Sequence, residues 1–193
     1  MSDRPGQDVD LVVRPGFAVM MAGLVVVYGA LYAVSKAPGT PPSIPESLNW
    51  GAAVTVLVLL GTLLHELGHV TAGIAFGHRW TTAVLNGAGL GVVMEPAPFG
   101  WQRVTRSLAG PLVHLLFALP LLATSLRSSS VGRLTVRTPE LSIWWIAGVS
   151  SVFLAVLNLL PFPGFDGAKV VQGLAEVVSH RRRLTRRRPP RLS

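Results

Sequence analysis

The segment Thr55–Phe76, TVLVLLGTLLHELGHVTAGIAF, is apolar enough for a membrane helix but carries His65, Glu66 and His69 near its middle. Ionisable side chains within a membrane face the bundle interior, a water-filled cavity or a bound ion. In the pattern H-E-x-x-H, both imidazoles lie on one face of a helix and can bind one zinc ion. The alternative is a chance pattern of hydrogen-bonded histidines, which the cost of three unsatisfied polar groups in hydrocarbon disfavours. The segment therefore predicts a zinc site inside a membrane helix.

The rest of the chain also has the composition of a membrane protein. Of its 193 residues, 50% are hydrophobic and 13% are charged, and the mean hydropathy is +0.50. The apolar runs long enough to cross the hydrocarbon core are Phe17–Ser35, Trp50–Phe76, Leu108–Leu126 and Leu141–Leu160. These runs predict an all-α polytopic membrane protein with about four transmembrane helices. The absence of cysteine excludes disulfides and thiolate metal sites.

The ends of the chain predict two tails around one domain. Residues 1–16 are predicted to be an N-terminal tail, and their acidic start argues against a cleaved signal peptide. Residues 17–180 are predicted to form a single membrane-embedded domain. Residues 181–193 contain seven arginines and are predicted to be disordered. The distribution of Lys and Arg predicts a multi-pass cell-membrane protein with both termini in the cytoplasm. The basic tail suits anionic lipids rather than nucleic acid, because no aromatic residue is interleaved with the arginines.

Two further segments predict irregular structure near the ends of the membrane helices. Asn86 and Gly87 lie between two short runs rich in Val, Thr and Leu, which predicts a β-hairpin over about Thr81–Met94, between the second and third helices. After the fourth helix, the prolines and glycines of the segment Asn158–Gly167, NLLPFPGFDG, predict a broken helix. A shorter amphipathic helix is predicted to follow. Such breaks turn side chains inward where membrane proteins form sites.

A catalytic zinc needs a third protein ligand and one open position for water. Besides the HExxH residues, the candidates are His78, Glu95, His114 and Asp166. His78 is predicted to be an exposed interfacial residue, and Glu95 is predicted to lie in a loop. Asp166 is the strongest candidate, and its alternative role is to cap the helix that follows it.

These motifs together resemble the site-2 proteases, which are intramembrane zinc metalloproteases. The resemblance rests on HELGH at 65–69, on NLLPFPGFDG at 158–167 and on AGP at 109–111. It implies a core at about 50–180, preceded by one helix, without an appended PDZ-like or sensor domain.

The resemblance also implies roles for individual residues. One zinc ion per chain would be bound by His65, His69 and Asp166, with Glu66 as the general base. Asn158 would lie near the metal and hold substrate or the developing oxyanion, although an interhelical hydrogen bond is an equal alternative.

His114 departs from the family pattern, in which many members have Asn at this position. Three roles are open to it: a donor to the oxyanion, a partner that supports a ligand, or a packed histidine bonded to a backbone carbonyl. We favour the last of these roles. If His114 were a zinc ligand, Asp166 would lose that role.

The predicted function is an intramembrane zinc endopeptidase that cleaves a transmembrane protein substrate. A non-catalytic zinc-binding membrane protein of the same fold is the first alternative. An ion or proton pathway through the buried ionisable residues is the second. Glu66 argues for catalysis, because a protein that only binds zinc does not require it. The hairpin is predicted either to hold an unwound substrate by β-augmentation or to cover the site as a plug.

Overall fold

The computed structural model describes residues 9–36, 41–87, 89–128 and 142–186. In these ranges the chain forms five helices and three strands. The helices are α1 (Gly16–Ser35), α2 (Ile44–Ala75), α3 (Trp101–Ser128), α4 (Ile143–Asn158) and α5 (Asp166–Arg186). The strands are β1 (Asp10–Val13), β2 (Arg79–Asn86) and β3 (Gly89–Glu95).

Three helices in the described ranges, α1, α2 and α3, are long and apolar enough to cross a membrane. The fourth predicted span is shorter than expected. Helix α4 has 16 residues, which corresponds to about 24 Å against a hydrocarbon core of about 30 Å. It begins after Ser142, whose hydroxyl accepts a hydrogen bond from the Trp145 N–H at 3.0 Å. It ends at Asn158, ahead of Pro161.

Helix α2 packs between α1 and α3, and glycines let the backbones approach closely. A side-chain carbon on Gly51 would overlap the Val25 carbonyl oxygen of α1. At the contact of α2 with α3, a side-chain carbon on Gly68 would lie 2.8 Å from the Ala109 carbonyl oxygen. Small residues at helix contacts are typical of membrane bundles, where close backbone packing replaces the hydrophobic driving force. The HExxH residues of α2 are thereby held against α3.

The predicted hairpin is present, but it belongs to a three-stranded sheet. Strand β2 pairs antiparallel with β3, and Asn86 is opposite Gly89, so the turn lies between these two residues. Strand β1 pairs in parallel with the other side of β2, with Val12 opposite Val84. The segment 1–16 was predicted to be a tail, so this strand was not expected. Four residues without alternating polarity carry too little pattern to predict a strand.

The predicted break follows α4, which ends at Asn158, and it ends at Asp166, where α5 begins. Gly167 allows this close turn, because a side-chain carbon there would overlap the carbonyl oxygens of Leu159 and Leu160. Helix α5 is longer than the predicted amphipathic segment and continues to Arg186. The prediction of disorder was therefore wrong for residues 181–186, and residues 187–193 lie outside the described ranges. Arginine is a good helix former, so a helix already begun at Asp166 can extend through a basic run.

Glu176 ties α5 to the start of α3. Its carboxylate accepts a hydrogen bond from the Gly100 N–H at 2.7 Å and pairs with Arg103 Nη2 at 3.1 Å. The Gly100 N–H and the Arg103 guanidinium hold the pKa of Glu176 below its usual value of 4.5. This contribution to stability is present above pH 4.5 and disappears as the pH falls through the lower, folded-state pKa.

We expect Glu176→Gln to lower the free energy of unfolding by about 1 kcal/mol at neutral pH. The difference from the parent protein should vanish well below pH 4.5, where the parent's carboxylate is protonated as well. Thermal unfolding in detergent as a function of pH measures this effect. A difference that persists at low pH would show that the charge of Glu176 is not what links the two helices.

Candidate metal centre

His65, His69 and Asp166 converge at the contact of α2 with the start of α5. The Nε2 atoms of the two histidines are 3.1 Å apart. Asp166 Oδ2 lies 3.2 Å from His65 Nε2 and 3.0 Å from His69 Nε2. All three side chains are buried. Residues separated by about a hundred positions in the chain therefore bring two nitrogens and one oxygen to a common point.

Neighbouring groups orient two of these side chains. His69 Nδ1–H donates to the Arg106 carbonyl oxygen at 2.7 Å, which leaves the Nε2 lone pair available. Lys169 Nζ donates to Asp166 Oδ1 at 2.8 Å, on the carboxylate oxygen that faces away from the histidines. Burial raises the pKa of Asp166, whereas the contacts of Oδ2 with His65 and His69 and the nearby charge of Lys169 lower it. The pKa of Asp166 is therefore below its usual value of 3.8.

This donor set fits zinc. Two imidazole nitrogens and one carboxylate oxygen are a common set of protein ligands in zinc hydrolases. With bonds of about 2.0–2.1 Å in a tetrahedral arrangement, ligand atoms lie about 3.3 Å from one another. The observed separations of 3.0–3.2 Å are close to this value. The three residues can therefore hold one zinc ion and leave a fourth position for water.

Glu66 lies beside these atoms and, with His65 and His69, forms a group that could itself hold a metal ion. It is half-buried, and its carboxylate and the ring nitrogens of His65 and His69 include atoms that all lie within 4.8 Å of one another. Glu66 also lines a cavity of about 450 Å³. This cavity is bounded by the candidate ligands His65, His69 and Asp166, by the N-terminal half of α3, by the start of α5 and by strand β3.

Asn158, the last residue of α4, lines the same cavity. Its Nδ2–H donates to the Leu154 carbonyl oxygen of its own helix at 3.0 Å, which is neither the interhelical bond nor the oxyanion contact expected from the sequence. A second cavity of about 360 Å³ lies between α1, α2 and α4, and Asn158 and Glu66 line that one too. Asn158 therefore lies at the boundary of two cavities that both reach Glu66.

His114 is 1% exposed, and neither ring nitrogen has a hydrogen-bond partner among the described residues. The predicted bond to a backbone carbonyl is therefore not found. Its ring centroid is 5.3 Å from that of His65, whereas Asp166 reaches hydrogen-bonding distance of both Nε2 atoms. The prediction for His78 was wrong, since it is 5% exposed rather than interfacial. Glu95 is exposed at the end of β3.

We expect His114→Asn to retain a full complement of zinc, because the structure brings Asp166 rather than His114 to the metal-binding histidines. Asn is smaller than His, so it fits the buried space without displacing α2. Metal analysis of the purified variant beside the parent measures this. Loss of zinc from a folded His114→Asn protein would make His114 the third ligand in place of Asp166.

Gly110 of α3 is packed against the metal-binding face of α2. A side-chain carbon there would lie 2.5 Å from His69 Nε2 and 2.8 Å from His65 Nε2. We expect Gly110→Ala to displace both imidazoles and lower zinc affinity by at least about tenfold, although it removes no ligand. Gly23→Ala on α1 is the matched control, because nothing lies within 4 Å of its added carbon. Equal zinc affinity in both variants would contradict this packing.

Sequence reasoning did not single out Arg106 or Lys169, and it used Gly110 only as part of the AGP motif. Lys169 had a usable signal, because residues three apart on a helix are neighbours and Asp166 precedes it by three. The Arg106 contact had none, since its carbonyl oxygen, a group common to every residue, accepts the hydrogen bond from His69.

Comparisons with known proteins identify the family of this chain. The model of peptidase family M50 matches residues 130–188, which contain Asn158 and Asp166. A Mycobacterium tuberculosis protein named "Putative zinc metalloprotease Rip3" is 32% identical over 171 residues, covering 81% of this chain. The chain belongs to peptidase family M50, the site-2 proteases.

Two other proteins are also similar to this chain. A Synechocystis protein named "Putative zinc metalloprotease sll0528" is 28% identical over 138 residues, covering 69% of this chain. The site-2 protease from Methanocaldococcus jannaschii has the same fold, with a TM-score of 0.54 and 19% identity. That structural match covers 83% of this chain and 64% of the other. The chain spans only 41% of the Mycobacterium relative and 34% of the Synechocystis relative.

Proposed function

We propose that this protein is a zinc endopeptidase that hydrolyses a peptide bond in or near a transmembrane segment of another membrane protein. The observation that carries this proposal is the convergence of His65, His69 and Asp166 within 3.2 Å beside Glu66. This group lies between helices apolar enough to cross a membrane. A hydrolytic site in that position acts on peptide bonds at membrane depth.

In this mechanism His65, His69 and Asp166 hold one zinc ion per chain, which supplies Lewis acidity for the attacking water and the substrate carbonyl. Glu66 accepts a proton from the attacking water and later donates it to the leaving amine. The Arg106 carbonyl oxygen keeps His69 in the tautomer that binds through Nε2. Asn158 turns its amide from α4 towards the substrate when the cavity is filled.

Strand β3 supplies a place for the substrate backbone. Residues 89–92 of β3 line the cavity that contains Glu66. The strand order β1-β2-β3 leaves β3 at an edge of the sheet. A peptide bond within a helix is hydrogen-bonded to its own turn, so the substrate must unwind before it can be attacked. The edge of β3 can hydrogen-bond the unwound segment as an additional strand.

The bilayer setting follows from charge as well as hydropathy. We place the protein in the cell membrane with both termini in the cytoplasm, as the distribution of Lys and Arg favours. The basic end of the chain then contacts anionic lipids of the cytoplasmic leaflet. Cleavage near this face releases a cytoplasmic fragment of the substrate.

Cleavage of a single-span substrate in proteoliposomes tests the proposed function. The parent protein and Glu66→Gln are reconstituted with a panel of labelled single-span proteins, and mass spectrometry locates the new termini. We expect the parent to cut within or next to the span and Glu66→Gln to leave the substrates intact. Zinc-loaded parent that cuts none of them, or that cuts only far from the span, would favour a non-catalytic zinc protein or a different substrate class.

A further inference from the structure

One guanidinium nitrogen at the cavity beside Glu66 lacks a hydrogen-bond partner among the described residues. Arg106 Nη1 is buried and has no hydrogen-bond partner among the described residues. Arg106 lines the same cavity as Glu66 and lies one hydrogen bond from the candidate ligands, through its carbonyl oxygen and His69. Arg106 as a whole is half-buried, but a buried N–H group without a hydrogen-bond partner is costly, and a guanidinium presents its N–H groups in a fixed fork that matches a carboxylate. The unpartnered Nη1 of Arg106 therefore indicates a place where an anion can bind.

The other two cations of the cavity are already paired. Arg103 binds Glu176 at 3.1 Å, and Lys169 binds Asp166 Oδ1 at 2.8 Å. The charges of Glu66 and Asp166 act on Arg106, but neither carboxylate hydrogen-bonds to its Nη1. With a zinc ion bound, the cavity is cationic overall. An incoming anion therefore meets both a favourable potential and an unused donor.

We propose that Arg106 forms a carboxylate-binding subsite, so that the preferred peptide carries an acidic group a short distance from the scissile bond. This inference rests on the proposed function for its substrate, a peptide. The carboxylate has two sources, an internal Asp or Glu side chain or a free C-terminus. The ligand is a peptide rather than a lipid because Arg106 shares its cavity with Glu66 and with β3, the strand that would pair with an extended backbone.

The reach of the side chain limits where the acidic group lies. Arg106 is fixed at its backbone by His69, and a guanidinium extends about two residue spacings of an extended peptide, at about 3.3 Å each. The acidic group is therefore within about two residues of the cleaved bond. A substrate segment with this composition is mainly apolar and carries one acidic residue near the membrane interface.

Binding to a catalytically silent protein tests the subsite without requiring turnover. The probes are fluorescent apolar peptides of one length. Each peptide carries a single Glu at a different position, and each is paired with a peptide that has Gln at the same position. A second set compares a free C-terminal carboxylate with its amide. Fluorescence anisotropy in detergent measures the affinity of each peptide for zinc-loaded Glu66→Gln, with or without a second substitution at Arg106. Arg79→Gln is the matched control, because Arg79 is exposed at the start of β2.

We expect one Glu position, or the free C-terminus, to bind about tenfold to a hundredfold more tightly than its neutral counterpart. Arg106→Gln should abolish this preference, Arg106→Lys should retain part of it, and Arg79→Gln should leave it unchanged. If Arg106→Gln does not fold, Arg106→Lys provides the test, with a loss of at least about threefold expected because Lys lacks the fork. Equal binding of charged and neutral peptides, or a preference that survives at full strength in the Arg106 variants, would overturn the subsite.

Hydrolysis of the same peptides by the parent protein separates this inference from the proposed function. Cleavage of neutral peptides without any preference for the acidic ones would overturn the subsite and leave the endopeptidase intact. An Arg106-dependent binding preference without cleavage of any peptide would retain the subsite and count against the endopeptidase.

Discussion

Replacing Glu66 by Gln will lower peptide hydrolysis by about a thousandfold while zinc stays bound. Gln has the same shape but cannot accept a proton from the attacking water, so the proton transfer is lost and the packing of α2 is retained. The metal-binding atoms of His65, His69 and Asp166 are 3.0–3.2 Å from one another without any contribution from Glu66. Zinc analysis and initial cleavage rates of the same preparation measure the two effects together.

The matched control for this variant is Glu46→Gln. Glu46 is an exposed glutamate in the first turn of α2, far from the cavity, where it accepts a hydrogen bond from the Tyr32 hydroxyl. We expect this control to cleave at the parental rate. Residual cleavage of more than about a tenth of the parental rate in Glu66→Gln would show that another group accepts the proton. Loss of zinc from Glu66→Gln would instead make Glu66 a ligand.

Replacing Asp166 by Ala will weaken zinc binding by at least about a hundredfold and will abolish cleavage at ordinary zinc concentrations. The substitution removes the one carboxylate oxygen that lies within 3.2 Å of both histidine nitrogens. Competition with a chelator of known zinc affinity measures the change.

Lys169→Met is the control for Asp166→Ala, because it removes the other partner of the same carboxylate and no ligand. We expect it to retain zinc with an affinity within about tenfold of the parent. If Asp166→Ala bound zinc as tightly as the parent protein, the third ligand would have to be another residue. His114 would then be the first to test, because its ring lies 5.3 Å from that of His65.

The elements that could be predicted from the sequence are those with a strong local signal. Helix α2 combines a long apolar run with HExxH, and the hairpin is marked by Asn86 and Gly87 between two β-rich runs. The break before Asp166 is marked by closely spaced prolines and glycines.

The parts that could not be predicted depend on contacts made in the folded chain. Strand β1 exists because β2 offers it a partner, and its four residues alone carry no pattern. The position of Gly110 against two imidazoles depends on how α3 packs on α2. The family resemblance implied zinc binding by Asp166, and the packing of α5 brings its carboxylate to both histidines. His114, a candidate of similar chemistry, is buried against α2, and its ring has no hydrogen-bond partner in the part of the chain that the structure describes.

The most direct test of a zinc centre built from His65, His69 and Asp166 is the zinc content of the purified protein. The sample must be folded and never exposed to chelator, and elemental mass spectrometry gives zinc per chain. We expect one zinc ion per chain in the parent protein and a clear loss in His65→Ala and His69→Ala. Folded parent protein without zinc, or full zinc content in both histidine variants, would contradict the metal centre and with it the proposed hydrolysis.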